Sequence, residues 1–397
     1  MQVLIIGIGT RGDVAPYTGL GVRIQEAGFE VTIAAHAPYA SMVAEAGLGF
    51  RPIPGDPVAA LSTLRPAAWA EYGRQISDGL ADAAAEGADL LILNAVSSAG
   101  MHVAEAMGIP SMGAHLQPVE PSADYPPVHG AVRSSLGRWG NRTAGWLMFA
   151  MPTPAFSGSA KRLRARLGLP PISSRAAYRR REATRWPVYH GFSPLVLPRP
   201  ADWRPGLEVT GYWWPAPRPN WRPSPELADF LESGPAPAFV GFGSQAAVGR
   251  HAERRTEVAL AALRRAGLRG VLQTGVQGRL GDDVLGVGVV PHAWLFPRMA
   301  VVAHHAAAGT TAAGLRAGVP AVAVPWINDQ PLWARQLHRL GVAPPPLTGR
   351  LTAERLSAAL ADALARRTRA EEIGGLIAAE DGAEPVVRAV EHAFITR

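Results

Sequence analysis

Short apolar runs and longer amphipathic stretches alternate along almost the whole chain, the rhythm that helices covering a parallel sheet impose on a sequence. The first run, Gln2 to Gly7, leads through a glycine-rich turn ending at Gly12 into a helical stretch from about Asp13 to Gly28 and a second run, Glu30 to Ala35. This is a βαβ opening. The same pattern predicts a helix near Tyr39 to Ala46, a strand at Gly49 to Ile53, a helix near Ala67 to Glu86, a strand at Leu90 to Asn94 and a helix ending near Met107. Gly130 to Arg185 reads as helices, and strands return at Pro187 to Leu197 and Glu208 to Tyr212.

The rhythm then breaks. Trp213 to Pro223 holds four prolines, a composition that favours a stiff, extended connector. Beyond it the alternation restarts, with strands at Ala238 to Phe242, Gly270 to Gln273, Val287 to Val290, Val301 to His304 and Ala321 to Val324. Between them lie helices at His251 to Ala266, Trp294 to Met299 and Thr310 to Ala317. Helices at Ala353 to Arg366, near Ala370 to Ala379, and at Glu384 to Phe394 close the chain. The fold class is therefore α/β, with two doubly wound domains: residues 1–214, a linker over 215–224, and residues 225–397. The last helix is a candidate for packing back on the first domain.

Composition narrows the class. With 397 residues, 48% of them hydrophobic and 18% charged, the chain can bury a core in each of two domains. No apolar run approaches the roughly 20 residues of a membrane span, and the N-terminal residues lack a basic flank and cleavage site, so the expected location is the cytoplasm. There is no cysteine, which removes disulfides and thiolate chemistry. The net charge of +7 comes almost wholly from arginine, since Lys161 is the only lysine. That bias reads as high-GC coding of the actinobacterial kind, and no nucleic-acid partner is expected. It also leaves Lys161 as the one side chain for Schiff-base chemistry.

Candidate chemistry gathers between Pro291 and Gln330. Here lie His292, the run from His304 through His305 and Ala306 to Gly309, Thr310 and Thr311, and the pair Asp329 and Gln330. A strand end, a small-residue turn opening a helix, and an acid-amide pair after a second strand suit a sugar nucleotide. Unpaired amides and the positive end of the helix dipole favour a diphosphate at such a turn. An ordinary strand-turn-helix of a parallel sheet gives the same pattern. Near the N-terminus, Gly7, Gly9 and Gly12 fit G-x-G-x-x-G between a strand and a helix, the setting of a dinucleotide fingerprint. That reading needs an acid near the end of the second strand, where this chain has Ala34, Ala35 and His36. Asp13, directly after the turn, has two readings. It can cap the helix, with Pro16 in the first turn, or serve as a general base at the carboxyl end of the sheet.

The ordered set of motifs resembles the inverting nucleotide-sugar glycosyltransferases of GT-B fold, in the branch of sterol glucosyltransferases and glycopeptide-antibiotic glycosyltransferases. It comprises Gly9-Thr10-Arg11-Gly12-Asp13-Val14, Gly191-Phe192-Ser193-Pro194, Pro198 to Trp203, Val209 to Trp213, Gly241-Phe242-Gly243-Ser244, Val290 to Pro297, the His304 to Thr311 turn, and Pro325 with Asp329-Gln330-Pro331. The resemblance spans nearly the whole chain. It implies two Rossmann-like domains facing across a cleft, with the acceptor on the first and the donor on the second. Asp13 is then the catalytic base, and the donor contacts are Thr10, Gly243, Ser244, Val290, His292, His305, Gly309, Thr310, Asp329 and Gln330. Ser244, His305, Gly309 and Thr310 face the diphosphate, Asp329 and Gln330 the sugar hydroxyls, and the segment around Val290 and His292 the base. No cofactor is implied, because the nucleotide sugar is a co-substrate and no metal is required; the sequence has no D-x-D pair to chelate one. One departure stands out: Ala306 and Ala307 occupy positions where the family carries two glycines.

On the acceptor side, Trp146 and Phe149 belong to an apolar stretch that either walls a lipophilic pocket or packs in a helical core. Beside it run Lys161 to Arg166 and Arg179 to Arg181, which read as a solvated face or as an approach to an anionic acceptor or membrane surface. The expected activity is transfer of a hexose from a UDP- or dTDP-sugar to a hydroxyl of a lipophilic small molecule, with inversion. The rival expectations are a nucleotide-sugar epimerase of the same fold and a small-molecule binding protein without catalysis.

Overall fold

The alternation resolves into two parallel sheets. The computed structural model describes residues 1–62, 65–129, 134–150, 154–243 and 250–395. Its chain divides into two units, one of Met1–Pro219 with Asp381–Arg397 and one of Asn220–Glu380. The boundary falls within the proline-rich stretch, and the last seventeen residues belong to the first unit rather than to the second.

In the first unit the strands are β1 (Gln2–Ile6), β2 (Glu30–His36), β3 (Gly49–Ile53), β4 (Leu90–Leu93), β5 (Ser111–His115), β6 (Val188–His190) and β7 (Leu207–Val209). They form one sheet in the order β3-β2-β1-β4-β5-β6-β7, and every neighbouring pair is parallel. Around it lie α1 (Arg11–Glu26), α2 (Ala40–Glu45), α3 (Pro57–Ser62), α4 (Pro66–Ala85), α5 (Gly100–Met107), α6 (Gly137–Ala150), α7 (Pro154–Arg166) and α8 (Ser174–Ala183). The expected strand from Pro187 to Leu197 ends at His190. Beyond it, Ser193 opens a turn that accepts the amides of Val196 and Leu197, so the chain has left the sheet.

Val14, Tyr17, Leu20 and Ile24 recur at helical spacing on α1 and are buried against Val3, Ile5, Val31 and Ile33 of β1 and β2. Burial of each such side chain contributes about 1.5–3 kcal/mol. The Tyr17 hydroxyl donates to the Ala114 carbonyl at 2.6 Å, tying α1 to β5. Because α1 starts at Arg11 and not at Asp13, Pro16 sits inside the helix and not in its first turn.

The second unit contains β8 (Ala238–Gly241), β9 (Gly270–Gln273), β10 (Gly278–Arg279), β11 (Val284–Gly286), β12 (Val301–His304) and β13 (Ala321–Ala323). Their order is β10-β11-β9-β8-β12-β13, parallel except for the β10–β11 pair. Its helices are α9 (Pro225–Glu232), α10 (Arg250–Ala266), α11 (His292–Leu295), α12 (Ala308–Arg316), α13 (Gln330–Arg339), α14 (Ala353–Leu364) and α15 (Arg367–Ala378). The strand expected at Val287 to Val290 is instead β11, three residues earlier. Val287 still donates its amide to the Leu272 carbonyl of β9 at 2.8 Å, but two residues on Val289 is 65% exposed.

A final helix, α16 (Glu384–Ile395), completes the first unit. Val386, Val387 and Val390 join the same core as Val14 and Tyr17. Arg23 of α1 holds Asp381 through two hydrogen bonds of 3.0 and 2.9 Å, and the Trp213 indole donates to the Gly382 carbonyl at 2.8 Å. Gly382 is required there, since a Cβ would lie 2.4 Å from the Gly211 carbonyl carbon. Among the described residues no helix is long and apolar enough to cross a membrane.

Candidate active site

In the first unit the site grows from the turn between β1 and α1. Thr10 takes extended backbone (φ −82°, ψ 179°) and stands as the N-cap, which makes Asp13 the third residue of the helix. Two donors from Thr10 converge on one carboxylate oxygen: its amide reaches Asp13 Oδ2 at 2.9 Å and its hydroxyl at 3.1 Å. The Gln117 amide approaches the other oxygen, Oδ1, at 3.4 Å. Gly9 makes the packing possible with φ +137°, because a Cβ there would lie 2.5 Å from Asp13 Oδ2.

Asp13 therefore performs part of the capping role considered for it, but from inside the helix and with one oxygen only. Burial raises its pKa above the ordinary carboxylate value, while the bonds from Thr10 and Gln117 pull the other way. The carboxylate is held in place, weakly paired at Oδ1 and more basic than an exposed aspartate. Thr10, expected at the donor, has its hydroxyl on Asp13 in this structure. Gln117, two residues past β5, was not singled out in the sequence; no spacing rule connects it to Asp13, 104 residues away.

Trp146 and Phe149 share α6 and have Tyr178 as a common neighbour, on different sides of it. Phe149 packs against Tyr178 with ring centroids 5.5 Å apart and lies under the Arg181 guanidinium at 4.9 Å. Trp146 is 38% exposed. With Trp139, Tyr178, Trp203 and Glu120 it lines a cavity of about 400 Å³. Beneath that cavity Glu120 is buried and accepts from Arg181 at 2.6 Å.

In the second unit the site grows from the turn between β12 and α12. His304 is fully buried, and its Nδ1 accepts from the Ala306 amide at 3.0 Å. Burial lowers its pKa to about 3. His305, next along, is lowered by burial to about 4, so it is a neutral imidazole at physiological pH. Gly243, on the loop after β8, takes φ +78°, and a Cβ there would lie 2.7 Å from His305 Cε1. The structure thus brings Gly243 and His305 together; Ser244 lies outside the described residues.

Past the histidines the backbone turns sharply. Ala306 has φ +61°, a left-handed conformation that costs a residue bearing a Cβ about 1–2 kcal/mol. Ala307 is extended at φ −65° and N-caps α12. Of the two alanines in place of glycine, then, only Ala306 is strained, and the turn is not a regular one. Gly309 and Thr310 follow in the first turn of α12, whose amides precede the first intrahelical bond from Thr311 to Ala307. A Cβ at Gly309 would meet nothing within 4 Å.

Asp329 and Gln330 begin α13, a helix not anticipated in the sequence. The Asp329 carboxylate accepts from the Trp333 indole at 2.6 Å. Gln330 Oε1 accepts from the amides of Trp326 and Ile327 at 2.9 and 3.2 Å, which leaves its NH₂ group to point elsewhere. Trp326 links the two halves of this site: its ring is stacked near His305 at 6.5 Å between centroids and lies 4.1 Å from the Arg255 guanidinium. An aromatic between Pro325 and the acid-amide pair was the available signal for it. His292 is half-buried, stacked on Phe296 at 4.3 Å between ring centroids and edge-on to Phe239, and it adds to the lowering of the His304 pKa. Val290, two residues before it, is buried.

Two α/β units on largely parallel sheets give the chain the GT-B fold. A glycotransferase of kitacinnamycin superposes with a TM-score of 0.71 at 20% identity, covering 99% of this chain and 98% of that one. The glycosyltransferase VinC, solved in complex with dTDP, superposes with 0.67 at 21% identity over 99% of each chain. At such identities the likeness is one of fold.

Sequence goes further. Residues 3–121 match the glycosyltransferase family 28 N-terminal domain, and residues 272–395 match the erythromycin biosynthesis protein CIII-like C-terminal domain. The O-mycaminosyltylonolide 6-deoxyallosyltransferase of Streptomyces fradiae is 36% identical over all of this chain and 98% of its own length. A sterol 3-beta-glucosyltransferase of Arabidopsis thaliana is 33% identical over 87% of this chain, which spans only 58% of that protein. The chain belongs to this family of glycosyltransferases, built from a family 28 N-terminal domain and a CIII-like C-terminal domain.

Proposed function

We propose that this glycosyltransferase moves a hexose from a UDP- or dTDP-sugar to a hydroxyl of a lipophilic small molecule, a natural-product aglycone or a sterol-like acceptor, inverting the anomeric centre. The observation that carries the reading is the divided coordination of Asp13. One oxygen is fixed by Thr10, and the other, with raised basicity and only a long bond from Gln117, is left for a proton. The acceptor oxygen forms its bond to the anomeric carbon as its proton passes to Asp13. On the opposite face of the sugar the bond to the diphosphate oxygen breaks, and that electron pair leaves with the nucleoside diphosphate. A single displacement of this kind inverts the centre.

Charge grows on the departing diphosphate, and preorganised donors stabilise it as it grows. The first-turn amides of α12, the Thr310 hydroxyl and His305 supply them in this reading. His305, being neutral, acts through an N–H and not as a cation. The open space at Gly309 lets a phosphate approach the backbone. Asp329 and the free NH₂ group of Gln330 suit sugar hydroxyls, since each has one polar atom already anchored within the unit. The donor chemistry assigned here uses no metal.

The test is Asp13→Asn. Removing the base costs about 10²–10⁴-fold in kcat, while donor affinity measured by calorimetry stays within a few-fold because the donor contacts lie in the other unit. Near-normal turnover by this variant would sink the assignment.

A further inference from the structure

Charge is distributed unevenly along this chain. Residues 130–185 hold twelve arginines and lysines and one acid, Glu182, against 27 basic and 31 acidic residues in all the rest. The whole positive charge of the protein therefore comes from one stretch of the first unit. Near its start, α6 has an apolar stripe turned outward. On α6, Trp139, Trp146 and Leu147 fall within one stripe at 3.6 residues per turn and are 89, 38 and 42% exposed, and Leu136, just before the helix, is 53% exposed. Asn141 and Gly145, on the opposite side, are buried.

Cations predominate on α6 and on the exposed side of α8, while Glu120, Glu182 and Asp202 line the cavity that Trp139 and Trp146 share on the inner side of the stripe. No acid occurs in Gly137–Ala150. Arg138 and Arg142 flank the stripe with side chains 71 and 62% exposed. Arg138 pairs with Asp124 at 2.9 Å, both exposed, a pair of the kind that contributes little; Arg142 lies 3.9 Å from the mostly buried Asp202. The Arg175 guanidinium of α8 lies 5.7 Å from the Trp146 ring, and Arg179, one turn on and exposed, is in no ion pair among the described residues.

We propose that α6 docks on the surface of a bilayer containing anionic lipid. Leu136, Trp139, Trp146 and Leu147 enter the interfacial layer, and the arginines of α6 and α8 face the lipid phosphates. An amphipathic helix of this composition lies in the interface plane with its apolar side about 5–10 Å into the headgroup boundary, and indoles favour that depth. A second copy is a poor occupant, because a two-fold contact would set one cationic patch against another. A lipid surface supplies apolar depth and negative charge together. The proposal does not depend on the catalytic reading.

The experiment is co-sedimentation of the full chain with phosphatidylcholine vesicles, with and without about 30% phosphatidylglycerol. Binding is expected to be at least about tenfold stronger to the anionic vesicles and to fall away at about 0.5 M salt, where charges are screened within a few ångströms. Arg179→Glu should weaken it more than about fivefold, since each cation near an anionic surface contributes roughly that factor, and Trp139→Ala should weaken it comparably. Both residues are exposed, so unchanged circular dichroism and melting separate lost docking from lost folding. Equal binding to the two vesicle types, no binding to either, or full binding by Trp139→Ala would each overturn the proposal. So would a concentration-dependent dimer in sedimentation velocity that Trp139→Ala abolishes, since that would give the face to a second copy.

Discussion

At the scale of single residues, Asp13 shows how one carboxylate holds two roles without conflict. Its Oδ2 closes the start of α1 through Thr10, and its Oδ1 is left with a long bond to Gln117. That geometry sets the direction of a pH effect. Burial raises the Asp13 pKa, and a base must be ionised to act, so kcat/KM should fall as pH drops through a value above the ordinary carboxylate range. Gln117→Leu removes a donor that favours the ionised form, so the acid limb of the profile should move to higher pH. The measurement is a pH–rate profile of both proteins; a limb that stays put or moves down would show that Gln117 does not act on Asp13. The residues around Asp13 left its role open between cap and base, and the family resemblance implied the base. Gln117 was illegible, because the pairing exists only once β5 lies two strands from β1.

At the scale of elements, the entry to α12 is where expectation and structure diverge most usefully. The resemblance flagged both Ala306 and Ala307, yet only Ala306 takes a left-handed conformation. Ala306→Gly relieves about 1–2 kcal/mol of strain but removes a buried methyl worth about 0.8 kcal/mol and loosens the unfolded chain by about 0.4–1 kcal/mol. The net should lie within about 1 kcal/mol of zero on those figures. Ala307→Gly has no strain to relieve, but it falls at the N-cap of α12, where glycine is favoured over alanine and offsets the added freedom of the unfolded chain, so its net effect should also lie within about 1 kcal/mol of zero. Thermal melts of the two variants check this, and a loss well above about 1 kcal/mol from either would contradict it. Central strands were legible because both faces are buried and the sequence runs apolar throughout. Val287 to Val290 imitated that signal, yet of these only Val287 donates its amide to β9, and Val289 faces solvent. The start of α13 was hidden for a different reason. Asp329, Gln330 and Pro331 were read for chemistry, although an acid at the N-cap with proline at the second helical position also announces a helix.

At the scale of the molecule, two α/β units follow from the interrupted rhythm of the sequence, but membership of the chain's end does not. Nothing in the pattern of Glu384–Ile395 states which sheet it covers; Trp213, Gly382 and Arg23 decide it through contacts 169 and 358 residues long. Ending the chain after Glu380 should therefore weaken the first unit and spare the second. Hydrogen exchange should show faster opening of α1 and β1, where Val14, Tyr17 and Val3 lose Val386, Val387 and Val390, with little change in β8, β9 and β12. Uniform acceleration across both units would refute that division.

The return of α16 also orders the events of synthesis. Residues 220–380 form one uninterrupted segment and have every strand of their sheet as soon as that segment has emerged. The first unit is translated earlier and has all seven strands, yet one side of its core stays open until the final helix arrives. The part that begins first is the part that finishes last, and the apolar faces of α1 and Trp213 wait in solvent for that interval.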